Sequence, residues 1–85
     1  MLHKFIFTVK DYRMAKKKIK NCIRRLRFDA DEMIQKDLAD KVGASRQTIV
    51  AIEKGKYSPS LELAFKIADV FGKPIGDVFW YEEES

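Results

Sequence analysis

The sequence predicts an all-α domain of five helices around one core, with a short β-strand near the amino terminus as its single candidate exception. Three observations predict it. Apolar residues recur at helical spacing on both sides of Val42-Gly43-Ala44-Ser45, with Leu38, Ala39 and Val42 before the break and Ile49 and Ile52 after it. Apart from Gly43 and Gly55, the glycines and prolines fall in Ser58-Pro59-Ser60 and in Gly72 to Gly76, so the connections are short, as in a helical bundle. The chain has 85 residues, 46% of them hydrophobic, which suits one small domain with a compact core.

Residues 1–13 read as an amino-terminal extension. Phe5, Phe7 and Val9 alternate with Ile6, Thr8 and Lys10, the period of a strand. A lone strand cannot satisfy its own backbone, so it would need a partner, as a dimer arm reaching a second copy would find. The alternative is an upstream leader, with Met14 as the natural start. A first helix is expected from Met14 to Arg27 or Phe28, with Ile19, Cys22, Ile23 and Leu26 facing the core and Arg24 and Arg25 pointing to solvent or a ligand. The acidic connection Asp29-Ala30-Asp31-Glu32 follows. A second helix starts near Gln35, but Ile34 cannot cap it. That costs about 1 kcal/mol unless Asp31 or another group accepts the free N–H.

Gly43 can end this helix with a positive φ, and the Ser45 hydroxyl can cap the next one, Arg46 to Lys54. Ala39 is small where the two would cross. Together these constraints describe a helix-turn-helix. Ser60 is the expected cap of a fourth helix, with Ala64, Ile67, Ala68 and Phe71 inside and Leu61 and Leu63 closing its top; Gly72 ends it. Pro74-Ile75-Gly76-Asp77 then opens a short fifth helix carrying Val78 and Phe79, followed by Trp80 and Tyr81. The domain is thus expected over residues 14–81, with an acidic tail at 82–85.

Charge is distributed unevenly. The formal net charge is +4 and the pI about 9.3, yet Lys16, Lys17, Lys18, Lys20, Arg24, Arg25 and Arg27 crowd the first third while Glu82, Glu83 and Glu84 close the chain. A polyanion would meet the basic part and be repelled by the tail. The one cysteine, Cys22, can form no internal disulfide and suits a reduced, cytoplasmic protein. No run is long enough to span a membrane, and Met1 to Val9 lacks the pattern of a secretory signal.

Gln35 to Gly55 resembles the helix-turn-helix of Xre/Cro-like, or lambda-repressor-like, regulators. The small Ala39, the glycine four residues later, the branched Ile49 and the apolar Ile52 match that motif, and Glu53-Lys54-Gly55-Lys56-Tyr57-Ser58-Pro59-Ser60 matches its following junction. The likeness runs from about Lys20 to Phe79. It implies a sequence-specific regulator of transcription, a repressor, binding the major groove of double-stranded DNA as a homodimer on an inverted repeat. Base contacts would come from Arg46, Gln47, Val50 and Ala51, since arginine can give two hydrogen bonds to guanine, glutamine can pair with adenine, and apolar groups can meet a thymine methyl. Phosphate contacts would come from Gln35, Ser45, Thr48, Lys54, Lys56 and Tyr57. The resemblance also implies a structural ion pair between Arg27 and Glu53, clamping the first helix to the third.

Val78, Phe79, Trp80 and Tyr81 form an aromatic-rich patch that reads as the dimer interface. The alternative is that these side chains close the monomer core, and the amino-terminal strand is a rival interface. Two other functions share the fold: an antitoxin that neutralises a protein partner, and a protein-interaction adaptor that binds no DNA. An enzyme finds little support. His3 is the only histidine, Asp29, Asp31 and Glu32 lack a metal-loop spacing, and no glycine-rich phosphate loop or nucleophile–base pair can be assembled. No metal or other cofactor is expected.

Overall fold

The structure, a computed structural model, describes residues 17–83. Its order is β1 (Lys17–Asn21), α1 (Ile23–Asp29), α2 (Gln35–Val42), α3 (Arg46–Glu53), α4 (Leu61–Val70), a 3-10 turn (Ile75–Asp77) and β2 (Phe79–Glu83). Among the described residues there are four α-helices and one two-stranded sheet, where five helices were expected. The strand expected at Phe5 to Val9 lies outside the described residues.

The first correction concerns Lys17 to Cys22. This stretch was expected to be helical, but it pairs antiparallel with β2, with Lys17 opposite Glu83, Lys18 opposite Glu82, Ile19 opposite Tyr81, Lys20 opposite Trp80 and Asn21 opposite Phe79. Opposite charges directly across a ladder are worth roughly 0.2–1 kcal/mol per pair, and the aromatic run of β2 favours extended backbone. Asn21 stops the strand and starts the helix: its Oδ1 accepts the Ile23 N–H at 3.1 Å, while its Nδ2 donates to the Ile52 carbonyl at the end of α3, at 3.0 Å. Ile19 is consequently 39% exposed instead of facing the core. Cys22 is half-buried, with its thiol donating to the Asp77 carbonyl at 3.2 Å.

The second correction is at the other end. Pro74 to Asp77 makes only a 3-10 turn, Val78 drops into the core, and Phe79 begins β2. Glu82 and Glu83, expected in an acidic tail, are paired residues of that strand. Because β1 and β2 hold the two ends of the domain together, the sheet anchors α1 against the bundle.

One core joins the elements. Ile23 of α1, Leu38, Ala39 and Val42 of α2, Ile49 and Ile52 of α3, Ile67 and Ala68 of α4 and Val78 are all buried and packed together. Leu63, Val70, Phe71 and Phe79 close its edges. Leu61, expected to close the top of α4, is instead 70% exposed.

Helix ends follow local chemistry. Ser45 Oγ accepts the Thr48 N–H at 3.1 Å, and Ser60 Oγ accepts the Leu63 N–H at the same distance. Gly43 adopts φ 72°, a left-handed conformation that costs a residue bearing a Cβ roughly 1–2 kcal/mol. No side chain caps α2 at Ile34, so neither Asp31 nor a neighbour substitutes for the missing hydroxyl.

The α1–α2 connection is strained. Asp31 and Glu32 both have positive φ, 60° and 57°, so that the Met33 N–H can turn back to the Arg27 carbonyl at 2.8 Å. Glutamate gains nothing local from that geometry. Glu32→Gly should relieve roughly 1–2 kcal/mol against roughly 0.5–1 kcal/mol of extra chain entropy. The expected outcome is a net gain of up to about 1.5 kcal/mol, read as a higher urea midpoint at unchanged slope.

Candidate nucleic-acid interface

α3 divides its residues by face. Ile49 and Ile52 are 0% and 1% exposed, so the opposite side of the helix must face out. That side carries Arg46 and Gln47, both exposed, and Val50 and Ala51, both half-buried. The Ser45 cap fixes the amino-terminal end of α3. Thr48 is committed to this end: its N–H binds the Ser45 hydroxyl, and the two side-chain oxygens lie 2.9 Å apart.

A charged cluster fixes the other end. Arg27 Nε donates to Glu53 Oε2 at 2.7 Å and Nη2 to Oε1 at 2.9 Å, a two-point contact whose side chains are only 14% and 8% exposed. The remaining Arg27 nitrogen, Nη1, donates to the Met33 carbonyl at 2.8 Å. Gln35 Nε2 adds a third bond to the same carboxylate, reaching Oε1 at 3.2 Å. One guanidinium and one carboxylate thus tie together α1, the strained connection, α2 and α3. Such two-point charge-assisted bonds are stronger than neutral ones and directional.

Above this cluster runs an open groove between α3 and the start of α2, walled by Arg24, Gln35, Lys36, Arg46, Val50 and Lys54. Its floor is the Arg27–Glu53 pair, whose charges cancel, so the rim is cationic. A hydrogen bond to Asp40 at 2.9 Å, and the charge of that carboxylate, raise the pKa of Lys36 above the ordinary lysine value. The side chains of Arg24, Arg46 and Lys54 have no hydrogen bond or ion pair among the described residues.

The structure thus gathers Gln35, Arg46, Val50 and Lys54 around one groove, with Gln47 and Ala51 a step further round α3. It does not bring Lys56 and Tyr57 there. They lie beyond Gly55, in a second depression shared with Lys17, Lys18 and Tyr81. The proposed interface residues also separate. Val78 is 0% exposed inside the chain's own core, Phe79 packs against that core, and only Trp80 and Tyr81, 39% and 52% exposed, face outward. Trp80 Nε1 donates to Glu82 Oε1 at 2.9 Å, and the Lys17 ammonium lies 5.6 Å from the centre of the Tyr81 ring.

Sequence reasoning missed Asn21, which fixes where α1 begins and joins it to α3. Its signal was legible, because asparagine is a strong residue for the start of a helix. It placed Arg24 only with Arg25, as pointing to solvent or a ligand, and did not set it apart from its neighbour. Among the described residues, no group of three or more His, Cys, Asp or Glu could hold a metal ion, and no helix is long and apolar enough to cross a membrane.

The helix-turn-helix family model matches residues 23–78, beginning where α1 begins and ending just before β2. An uncharacterised HTH-type transcriptional regulator of Methanocaldococcus jannaschii is 65% identical over 53 residues, covering 62% of this chain and 80% of that one. YgzD, an uncharacterised HTH-type transcriptional regulator of Bacillus subtilis, is 55% identical over 51 residues, 60% of this chain and 77% of its own. The cryptic phage CTXphi transcriptional repressor RstR of Vibrio cholerae is 39% identical over 56 residues, 66% of this chain and 50% of its own.

Proposed function

This chain belongs to the helix-turn-helix family of Xre-like transcriptional regulators, and we propose that it represses transcription by placing α3 in the major groove of an inverted-repeat operator as a homodimer. The observation that carries this reading is the division of α3. One face is sealed in the core, the opposite face presents Arg46, Gln47, Val50 and Ala51, and both ends are held by named hydrogen bonds. A helix so fixed can deliver side chains to base edges with little reorganisation on binding.

In this reading Arg46 takes a guanine, Gln47 an adenine, and Val50 and Ala51 meet thymine methyl groups or sugar. Gln35, Ser45, Thr48, Lys54, Lys56 and Tyr57 serve the backbone. Ser45 and Thr48 spend part of their hydrogen-bonding capacity on each other, so their backbone role is the smaller one. Arg27 and Glu53 act structurally, setting the angle of α3. Similarity to a phage repressor favours repression over activation.

The homodimer is proposed through the sheet face that Ile19 and Tyr81 share, since they lie directly opposite each other; Trp80, the neighbouring residue of β2, points to the other face. Two large side chains exposed side by side mark an association surface. Two copies would set their α3 helices roughly 34 Å apart, one turn of DNA.

Selection of binding sequences from a randomised duplex pool, at two salt concentrations, tests the proposal. An inverted repeat with half-sites about ten base pairs apart is the expected product. Weak binding without sequence preference, abolished by modest salt, would overturn it, because a merely basic surface behaves that way.

A further inference from the structure

We propose that Arg24 of α1 grips a DNA backbone phosphate at the edge of the α3 groove, which makes α1 a working part of the DNA-binding surface. The inference rests on α3 being the element that enters the major groove. It extends that reading to a helix outside the two-helix motif.

Position is the first ground. Arg24 and Arg27 are three residues apart on α1 and so share a side of that helix. Arg27 is fixed on Glu53 of α3 by bonds of 2.7 and 2.9 Å, which turns the side of α1 carrying Arg24 towards α3. Arg24 then forms one wall of the groove, across from Arg46 and Lys54.

Availability is the second. Arg24 is exposed, and its guanidinium has no partner among the described residues. Its neighbour Arg25 is also exposed, but it is tied to Asp29 at 3.3 Å and does not line that groove.

Electrostatics is the third. Among the described residues lining the groove, the one carboxylate, Glu53, is neutralised by Arg27 and Lys36 is paired with Asp40, so Arg24, Arg46 and Lys54 leave a surplus of positive charge around it. A guanidinium presents a planar fork that suits a phosphate's two oxygens. In this reading Arg24, on a helix other than the one that enters the groove, meets the strand's backbone and not a base edge. Arg24 should therefore add affinity without sequence preference.

The test uses the full chain and the duplex recovered by selection, with binding followed by fluorescence anisotropy between about 50 and 200 mM salt. Arg24→Ala should lower the slope of log affinity against log salt by about 0.9 and weaken binding roughly 5–10-fold near 100 mM, with the preferred base at every position unchanged. Arg24→Gln, which keeps the stem, should do the same. Arg25→Ala removes the same charge away from the groove and should leave the slope close to wild type. An unchanged slope in both Arg24 variants, an equal fall in Arg25→Ala, or an altered base preference would each overturn the proposal. The two readings fail separately. If wild type binds selectively and the Arg24 variants match it, only Arg24 is wrong. If wild type is unselective yet the slope falls in the Arg24 variants alone, the backbone contact stands and specific reading by α3 fails. Absence of any duplex binding overturns both.

Discussion

Glu53→Ala is expected to destabilise the domain by about 3–5 kcal/mol, the usual cost of removing one partner from a buried ion pair. Both side chains are nearly shielded from water, so the Arg27 guanidinium would be left charged and short of two acceptors, and Gln35 would lose its bond as well. A domain of this size commonly holds only about 4–13 kcal/mol in total, so this one change removes a large share. Urea unfolding followed by circular dichroism checks it. A double variant, Arg27→Met with Glu53→Leu, should lose much less than the sum of the two single losses, because an apolar pair leaves no buried charge. A loss under about 0.5 kcal/mol in Glu53→Ala would mean that the pair is open to water and does not set the angle of α3.

Ile49→Ala should cost about 2–5 kcal/mol. Ile49 is 0% exposed on the inner face of α3, packed in the cluster that holds Leu38 and Ala39 of α2. Removing three carbons there costs the transfer energy of the lost groups plus the cavity that remains, and two crossing helices anchored at both ends can collapse only partly into it. Gln47→Ala, two residues earlier on the exposed side, should stay within about 0.5 kcal/mol of wild type. That contrast, measured by thermal or urea unfolding, states in energy which face of α3 belongs to the fold and which is free for a ligand.

Much of this was legible where the chain argues with itself locally. The apolar spacing of Leu38, Ala39, Val42, Ile49 and Ile52, the left-handed Gly43 and the Ser45 and Ser60 caps need only a few consecutive residues to be understood, and α2, α3 and α4 formed as those signals indicate. The sheet was not legible in this way. Ile19, Cys22, Ile23 and Leu26 sit at helical spacing, so periodicity alone extends α1 back through Lys17. What overrides it is a partner strand about sixty residues away in sequence, with Lys17 and Lys18 meeting Glu83 and Glu82. Charge complementarity between the two ends of the domain was visible, but its register was not.

The fifth helix failed for a related reason. A proline, a glycine and an acidic residue in Pro74 to Asp77 suit a helix start, yet the aromatic run behind them finds a better use as β2. Within the groove, Gln35, Arg46 and Val50 could be named from the sequence, whereas Arg24 became a wall only because Arg27 fixes the orientation of α1. Val78 shows the reverse: an apolar residue in an aromatic patch looks like surface until the core claims it.

The most direct test of α3 as the reading element is the base preference at each operator position, measured for wild type and Arg46→Ala in parallel. Arg46 is exposed and without a partner among the described residues, so its removal should leave the unfolding midpoint unchanged. The result predicted is loss of preference at one position, repeated symmetrically in both half-sites, with about 1–3 kcal/mol of discrimination gone there and the other positions intact. Superimposable preferences, or a uniform weakening at every position, would contradict it and reduce Arg46 to one more phosphate contact.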